Sequence, residues 1–304
     1  MARSREGGAA TLPVGGSAAN PPPGTGPAPG PPVRGFSATP AAAMLPAHGR
    51  DASTMTDTTP RAAEMLLAVR RGAPRLAGLG DAAPRNMTEA FAVQRAVLSS
   101  LGARIGGWKC SAPPGQDPSG AMLDAAGLRA SPATWTVPAD GRIGIETEIA
   151  FRLGRPLPAR AMPYTREEVL EAVDTAFPVI EMVVSRYQDP SKVSPMEAMA
   201  DCIAHAGLIL GADVPGWRGM DLPGLVVKQS YGAEVQVEKR GGNPSGDPVV
   251  PLLWLANALP HHGLALEAGQ VMTTGSCTGL IWVAPGQRVT GGFGGFGEVT
   301  VDLV

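Results

Sequence analysis

A chain of 304 residues with 27 acidic and 25 basic side chains carries a formal charge of −2, which offers no basic surface for nucleic acid. Apolar residues make up 44% of it, yet no run reaches the roughly 18 positions of a membrane-spanning helix, and no secretory apolar stretch is present. The three cysteines, Cys110, Cys202 and Cys277, have neither the even count of a disulfide framework nor zinc-site spacing, which fits a reducing cytoplasm.

Within the first 50 residues, Pro, Gly and Ala occupy 30 positions, so residues 1–55 are expected to form a disordered tail. The remainder, 56–304, is expected to be a single catalytic domain large enough for a substantial core. The first predicted helix is Pro60–Arg71, with Thr59 as N-cap and Gly72 as the stop. A second starts at Asn86, where Asn86 and Glu89 resemble a capping box, and buries Phe91, Val97 and Leu98. Ile105–Cys110 reads as a short strand carrying Lys109 to the edge of a turn-rich segment, 111–140, suited to a lid or pocket rim. Thr165 and Glu168 cap a helix predicted through Ala176, and the strand around Glu181 follows. Met196–Ala206 reads as a helix and Gly207–Gly211 as a strand. Leu225–Gln229 and Glu234–Glu238 pair as a hairpin around Tyr231 and Gly232. Val249–Leu259 is an apolar helix, and three strands separated by glycine turns close the chain. Helices early and strands late predict an α+β fold, mostly β with mixed sheets, rather than alternating βαβ units.

The chemistry concentrates in Gly141–Leu153, GRIGIETEIAFRL. Side chains alternate across a strand, so Ile143, Ile145, Thr147, Ile149, Phe151 and Leu153 share one face, and Gly144, Glu146, Glu148, Ala150 and Arg152 the other. Two carboxylates on one face of an apolar strand raise each other's proton affinity unless a cation neutralises them. Glu181, in PVIEMVVSRY, shares its face with Val179 and Val183 and adds a third acid. Three carboxylates on β-rich backbone suit a hard divalent ion such as Mg²⁺ or Mn²⁺, although a Glu-x-Glu pair also describes a solvated sheet face. Only four of the 25 basic residues are lysines, and a lysine kept against such a bias has a reason to be one, since only lysine loses its proton readily when buried.

Several motifs in order, GWK at 107–109, IETEIAF at 145–151, PVIE at 178–181, ADCIAHAGLILG, WLAN at 254–257 and the late TTGSCTG, resemble the 2-oxopent-4-enoate hydratase branch of the fumarylacetoacetate hydrolase superfamily. The resemblance runs from about Arg61 to Val304. It implies a mixed-sheet domain resembling the superfamily's C-terminal domain, a Mg²⁺ or Mn²⁺ site, a small 2-oxo acid substrate and a homo-oligomer. Carried over by residue, Glu146, Glu148 and Glu181 match the metal ligands and Lys109 the active-site lysine. Ala204 and His205 stand where such hydratases tend to have small hydroxylated residues, which makes His205 a candidate for the proton relay or else a structural residue. Asp124 is the candidate for the family's loop carboxylate. Ser276 is placed to hydrogen-bond a substrate carboxylate, or is plain turn chemistry.

The activity this implies is metal-dependent hydration of a 2-hydroxydienoate or its 2-oxo-4-enoate tautomer in aromatic-compound catabolism. The same ligands would serve a decarboxylase of a 2-oxo dicarboxylate of the oxalocrotonate type. Carbon–carbon hydrolysis of an acylpyruvate needs a base that activates water, and no His–Glu pair precedes the metal motif. A silent member acting as assembly partner of a pathway enzyme, such as a decarboxylase, would have no reason to keep Lys109 and all three glutamates.

Overall fold

The computed structural model describes residues 57–304, and the expected tail over 1–55 lies outside the described residues. In chain order the regular elements are α1 (Thr59–Arg70), α2 (Met87–Ser100), β1 (Ile105–Ser111), β2 (Ser119–Asp124), β3 (Leu128–Ala130), β4 (Ala133–Trp135) and β5 (Ile143–Leu153). They continue with α3 (Arg166–Ala172), β6 (Val173–Val183), α4 (Pro195–Ala200), β7 (His205–Leu210), β8 (Val226–Tyr231), β9 (Glu234–Arg240) and α5 (Val249–Ala258). β10 (Val271–Thr273), β11 (Ile281–Val283), β12 (Arg288–Phe293) and β13 (Gly297–Leu303) complete the chain. The class is α+β with two mixed sheets, as the order of elements predicts.

Local chemistry explains most helix starts. The Asn86 side chain accepts from the Glu89 backbone N–H to open α2, and full capping boxes at Thr165/Glu168 and Ser194/Glu197 open α3 and α4. Helix ends depart from expectation where tertiary pairing intervenes. α3 stops at Ala172 rather than Ala176, because Val173 and Thr175 pair with Leu153 and Arg152 of β5. α4 ends at Ala200 rather than Ala206, and β7 already begins at His205. The segment 111–140, expected to be turns, holds β2, β3 and β4, and the C-terminal region has four strands rather than three.

The larger sheet runs β2-β1-β10-β5-β6-β7-β3, with β11 also on β5, and the smaller runs β4-β13-β12-β8-β9. The alternation read in β5 is borne out. Ile143 and Ile145 pack with Ile180, Met182, Val289, Val299 and Val301 between the sheets, while Ile149, Phe151 and Leu153 meet the helices through Phe91, Trp217 and Leu252. On one edge β5 pairs with β6 along its length; on the other, β10 covers residues 150–152 and β11 covers 143–145. Between these two patches the chain from 274 to 280 leaves the sheet. Its polar groups still serve β5: the Cys277 N–H donates to Thr147 O (2.9 Å), the Thr147 N–H to Thr278 Oγ1 (3.0 Å), and Thr274 Oγ1 to Ile149 O (2.8 Å).

One polar thread crosses the dry interface between the sheets. Thr147 Oγ1 donates to Gln229 Oε1 (2.7 Å), and Gln229 Nε2 donates to the Tyr231 hydroxyl (3.2 Å). Gly291 opposite is required, since a Cβ there would stand 2.2 Å from Thr147 Oγ1. Thr147→Val removes the donor and leaves the buried Gln229 carbonyl unpaired, so the unfolding free energy should fall by about 1–3 kcal/mol. A urea titration checks this as a lower midpoint at unchanged slope.

Candidate active site and metal centre

The site grows from the β5–β6 register. Glu146 lies directly opposite Glu181, and Glu148, opposite Val179, is two residues along on the same face. Ligand oxygens of the three carboxylates come within 4.8 Å of one another. Glu148 and Glu181 are buried to 1% and 0% exposure, Glu146 partly. The small residues flanking the pair have different uses: the room above Gly144 is taken by Leu280, whose Cδ1 would lie 2.4 Å from an added Cβ.

Lys109 reaches this cluster from β1, whose residues 107–109 run parallel to β10. Its Nζ donates to Glu181 Oε1 (2.8 Å) and to Ile203 O (3.3 Å). His205 arrives by a different device. The β6–β7 register slips between Met182↔Gly207 and Val183↔His205, and this one-residue bulge turns the imidazole to the face that carries Glu181. Nδ1 then lies 3.0 Å from Glu181 Oε1.

Each buried acid has one oxygen tied and one free. Glu181 Oε1 takes Lys109 and His205, while Oε2 has no partner. Glu148 Oε2 accepts from the Gly275 N–H (2.9 Å), while Oε1 has no partner. Buried carboxylate oxygens left unpaired are costly, and a cation bound between them satisfies both. The donor set therefore fits a hard divalent ion.

The electrostatics follow from burial and crowding. Burial, then Glu181 and Glu146, push the Glu148 carboxyl up to about 8, and burial raises Glu146 as well. Glu181 is held below the usual range despite burial, because Lys109 and His205 favour its charged form. Burial lowers His205 toward the neutral imidazole even with Glu181 beside it. For Lys109, burial favours the neutral amine, but Glu181, Glu146 and Glu148 outweigh it and raise its pKa. Without an ion among the acids, the surroundings of Lys109 thus favour its ammonium form, where the sequence suggested a lysine that loses its proton readily.

The remaining sequence candidates divide. The Ser276 hydroxyl favours the ionised form of Glu146 and lies 3.4 Å from Thr278 Oγ1, so it belongs to the carboxylate cluster. Asp124 does not join the site. It ends β2, three residues beyond the Ala121 that pairs with Lys109, and its Oδ1 caps the following turn by accepting from the Ala126 N–H (2.9 Å). The Gly275 N–H, an anchor of Glu148 beside the candidate Ser276, is a backbone group that no side-chain pattern in TTGSCTG marks.

Sequence reasoning also missed the turn between α4 and β7. Cys202, Ile203 and Ala204 all have positive φ (51°, 51° and 61°), a conformation costing about 1–2 kcal/mol for each L-residue. The buried Arg186 braces it, pairing with the Asp201 carboxylate and donating to Val184 O and to His205 O (3.0 Å). The turn aims Ile203 O at Lys109 and starts β7 at His205. A cavity of about 210 Å³ opens on Lys109 and Glu146, with Ile203, Leu280 and Trp282 among its walls. A larger space of about 630 Å³, bounded by Arg70, Arg75 and Trp135, contains none of the clustered residues.

The chain is similar to several known proteins. The chain is 30% identical over 159 residues to 2-keto-4-pentenoate hydratase of Paraburkholderia xenovorans, covering 52% of this chain and 58% of that enzyme. It is 31% identical over 160 residues to 4-oxalocrotonate decarboxylase of Pseudomonas putida, covering 53% and 60%. It thus spans about three fifths of the length of the curated relatives it matches. The fold superposes on 4-oxalocrotonate decarboxylase from Pseudomonas putida G7, solved with magnesium and adipate, at a TM-score of 0.72 and 23% identity, covering 83% of this chain and 99% of that one. The model of the fumarylacetoacetate (FAA) hydrolase C-terminal family matches residues 99–304, a stretch that contains both sheets, the three clustered glutamates, Lys109 and His205, and the chain belongs to that family.

Proposed function

We propose that residues 56–304 form a single hydratase-like catalytic domain, a lyase that hydrates a 2-hydroxydienoate or its 2-oxo-4-enoate tautomer in aromatic-compound catabolism. The observation that carries this is the convergence of Glu146, Glu148 and Glu181, with two orphaned buried oxygens, beside Lys109 at the end of a cavity. Those glutamates would hold a divalent ion, Mg²⁺ or Mn²⁺. Such an ion supplies positive charge beside the oxygens of a 2-oxo acid and so eases proton transfer at the neighbouring carbon.

The chain's own groups do the rest. Hydration of an isolated alkene is slow, and moving the double bond into conjugation with the ketone makes its far carbon electrophilic. Lys109 lines the cavity and is suited to give a proton to the terminal carbon of the 2-hydroxydienoate as the enol hydroxyl releases its own. As the neutral amine it then takes one from the water that adds at the far carbon, the enol's proton ending on the carbon beside the ketone. Ile203 O and Glu181 Oε1 fix its Nζ. The His205 imidazole holds Glu181 Oε1 through Nδ1, which suits it to position that carboxylate.

A second reading, decarboxylation of a 2-oxo dicarboxylate, has in its favour the comparable identity to 4-oxalocrotonate decarboxylase. Product analysis on 2-oxo dienoates separates the two, since one adds water and the other releases CO₂. The proposal includes a reducing cytoplasm, which the three free buried cysteines support, and a homo-oligomer, which sedimentation would measure. Among the described residues no helix is long and apolar enough to cross a membrane.

Lys109→Met should retain ion binding and lower turnover by about 10²–10⁴-fold, the usual share of acid–base catalysis. Metal titration and rate are measured on one sample, and near-normal turnover removes Lys109 from the mechanism.

The glutamates should differ among themselves. Glu148→Gln should weaken divalent-ion binding strongly yet leave the metal-free protein no less stable, because it relieves repulsion. Glu181→Gln should weaken the ion and also destabilise the metal-free protein by roughly 3–5 kcal/mol, because it strips the buried Lys109 of its partner. Calorimetric titration and chelator-treated melts test both.

Stability should also depend on pH through Glu148. With its folded pKa at about 8 against an ordinary 4.5, the folded chain keeps a proton that the unfolded chain has released. Metal-free stability therefore falls as pH rises from about 6.5 to 8; the opposing contribution of His205 is complete once its ordinary pKa of 6.5 is passed. Saturating Mg²⁺ takes the proton's place and should abolish the slope. Melting temperatures across this range with and without chelator decide, and a metal-free protein that gains stability toward pH 8 contradicts the assignment.

A further inference from the structure

The cavity that opens on Lys109 and Glu146 has mostly apolar walls elsewhere. Its other walls include Val183, Pro190, Ala198, Ile203, Leu280 and Trp282. The polar side chains that also border it are committed. Asp201 is paired with Arg186, the Tyr187 hydroxyl donates to Glu197 O (2.9 Å), and Ser185 Oγ accepts from the Tyr187 N–H (3.1 Å).

Cations are missing from these walls: among the described residues, Lys109 is the only lysine or arginine lining the cavity. Others close by are engaged: Arg75 donates to the carbonyl of the lining Ser185 and pairs with Asp140 (2.7 Å). Arg186 is spent on Asp201 and backbone carbonyls. The Arg142 guanidinium lies over the Trp282 ring, 5.6 Å from its centroid, and Lys192 pairs with Asp189 (3.2 Å).

We propose that the substrate's part beyond its 2-oxo acid head is an uncharged apolar tail, so that the site selects 2-oxo monocarboxylates and rejects those ending in a second carboxylate. This rests on the reading above that the 2-oxo acid head sits at the glutamate cluster. A terminal carboxylate would lose water against aliphatic and indole surface, where no further lysine or arginine lines the wall to replace it. An alkyl end gains by the same burial. Selection thus works by rejection as much as by attraction.

The test compares 2-oxohexanoate with 2-oxoadipate, which differ by a terminal methyl against a terminal carboxylate, in calorimetric binding to the Mg²⁺-saturated full chain. The expected result is at least about tenfold tighter binding of 2-oxohexanoate. Leu280→Arg and Trp282→Arg, at positions 43% and 50% exposed, each put a cation at the wall, and at least one should shift the ratio about tenfold toward 2-oxoadipate. Equal or tighter binding of 2-oxoadipate to the wild type overturns the inference. So does an unchanged ratio in both variants when their melts show them folded. Failure of both probes to bind while Mg²⁺ binds overturns the 2-oxo acid reading itself, and the tail inference falls with it.

Discussion

Burying three carboxylates side by side is the constraint around which this domain is built. Glu146 and Glu181 face each other across neighbouring strands, and Glu148 is one side-chain step away. Like charges in a dry environment cannot all ionise without compensation. The chain answers with one ammonium, one imidazole and one backbone N–H, which satisfy only part of the oxygens. What is left unsatisfied, one oxygen each on Glu148 and Glu181, is where a divalent ion would supply the missing charge.

That arrangement requires the sheet to be open at one level. β10 and β11 pair with the two ends of β5 and leave its middle without a strand neighbour on that edge. The 274–280 segment bridges the gap with single hydrogen bonds instead of a ladder, which frees the Gly275 N–H to hold Glu148. A continuous strand there would have spent the same donors on backbone carbonyls. The opening in the sheet and the anchoring of the acid have one cause.

The other wall depends on stored strain. Three consecutive L-residues in the left-handed region persist because Arg186 and Asp201, both buried, over-determine the turn. The return is positional: Ile203 O meets Lys109, and a bulge at the start of β7 turns His205 toward Glu181. Removing either partner of the Arg186–Asp201 pair would act on the site without touching the carboxylates.

The sequence by itself determined whatever has a local cause. Period-two alternation in 143–153 located β5 and separated its glutamate face from its core face, N-cap side chains placed α2 and α3, and the Glu-x-Glu pair with Glu181 and Lys109 marked the site. The tertiary structure decided what depends on partners distant along the chain. It cut α3 short at Ala172, because pairing with β5 outweighs helix propensity over Val173–Thr175. It replaced half of a predicted helix by the left-handed turn, because the Arg186–Asp201 pair closes only in three dimensions. It made Asp124 a local cap, since nothing in its own neighbourhood carries it along β2 to Lys109. It also set what surrounds Lys109, because a pKa depends on the charges near the group in space, and the acids that raise it lie on β5 and β6.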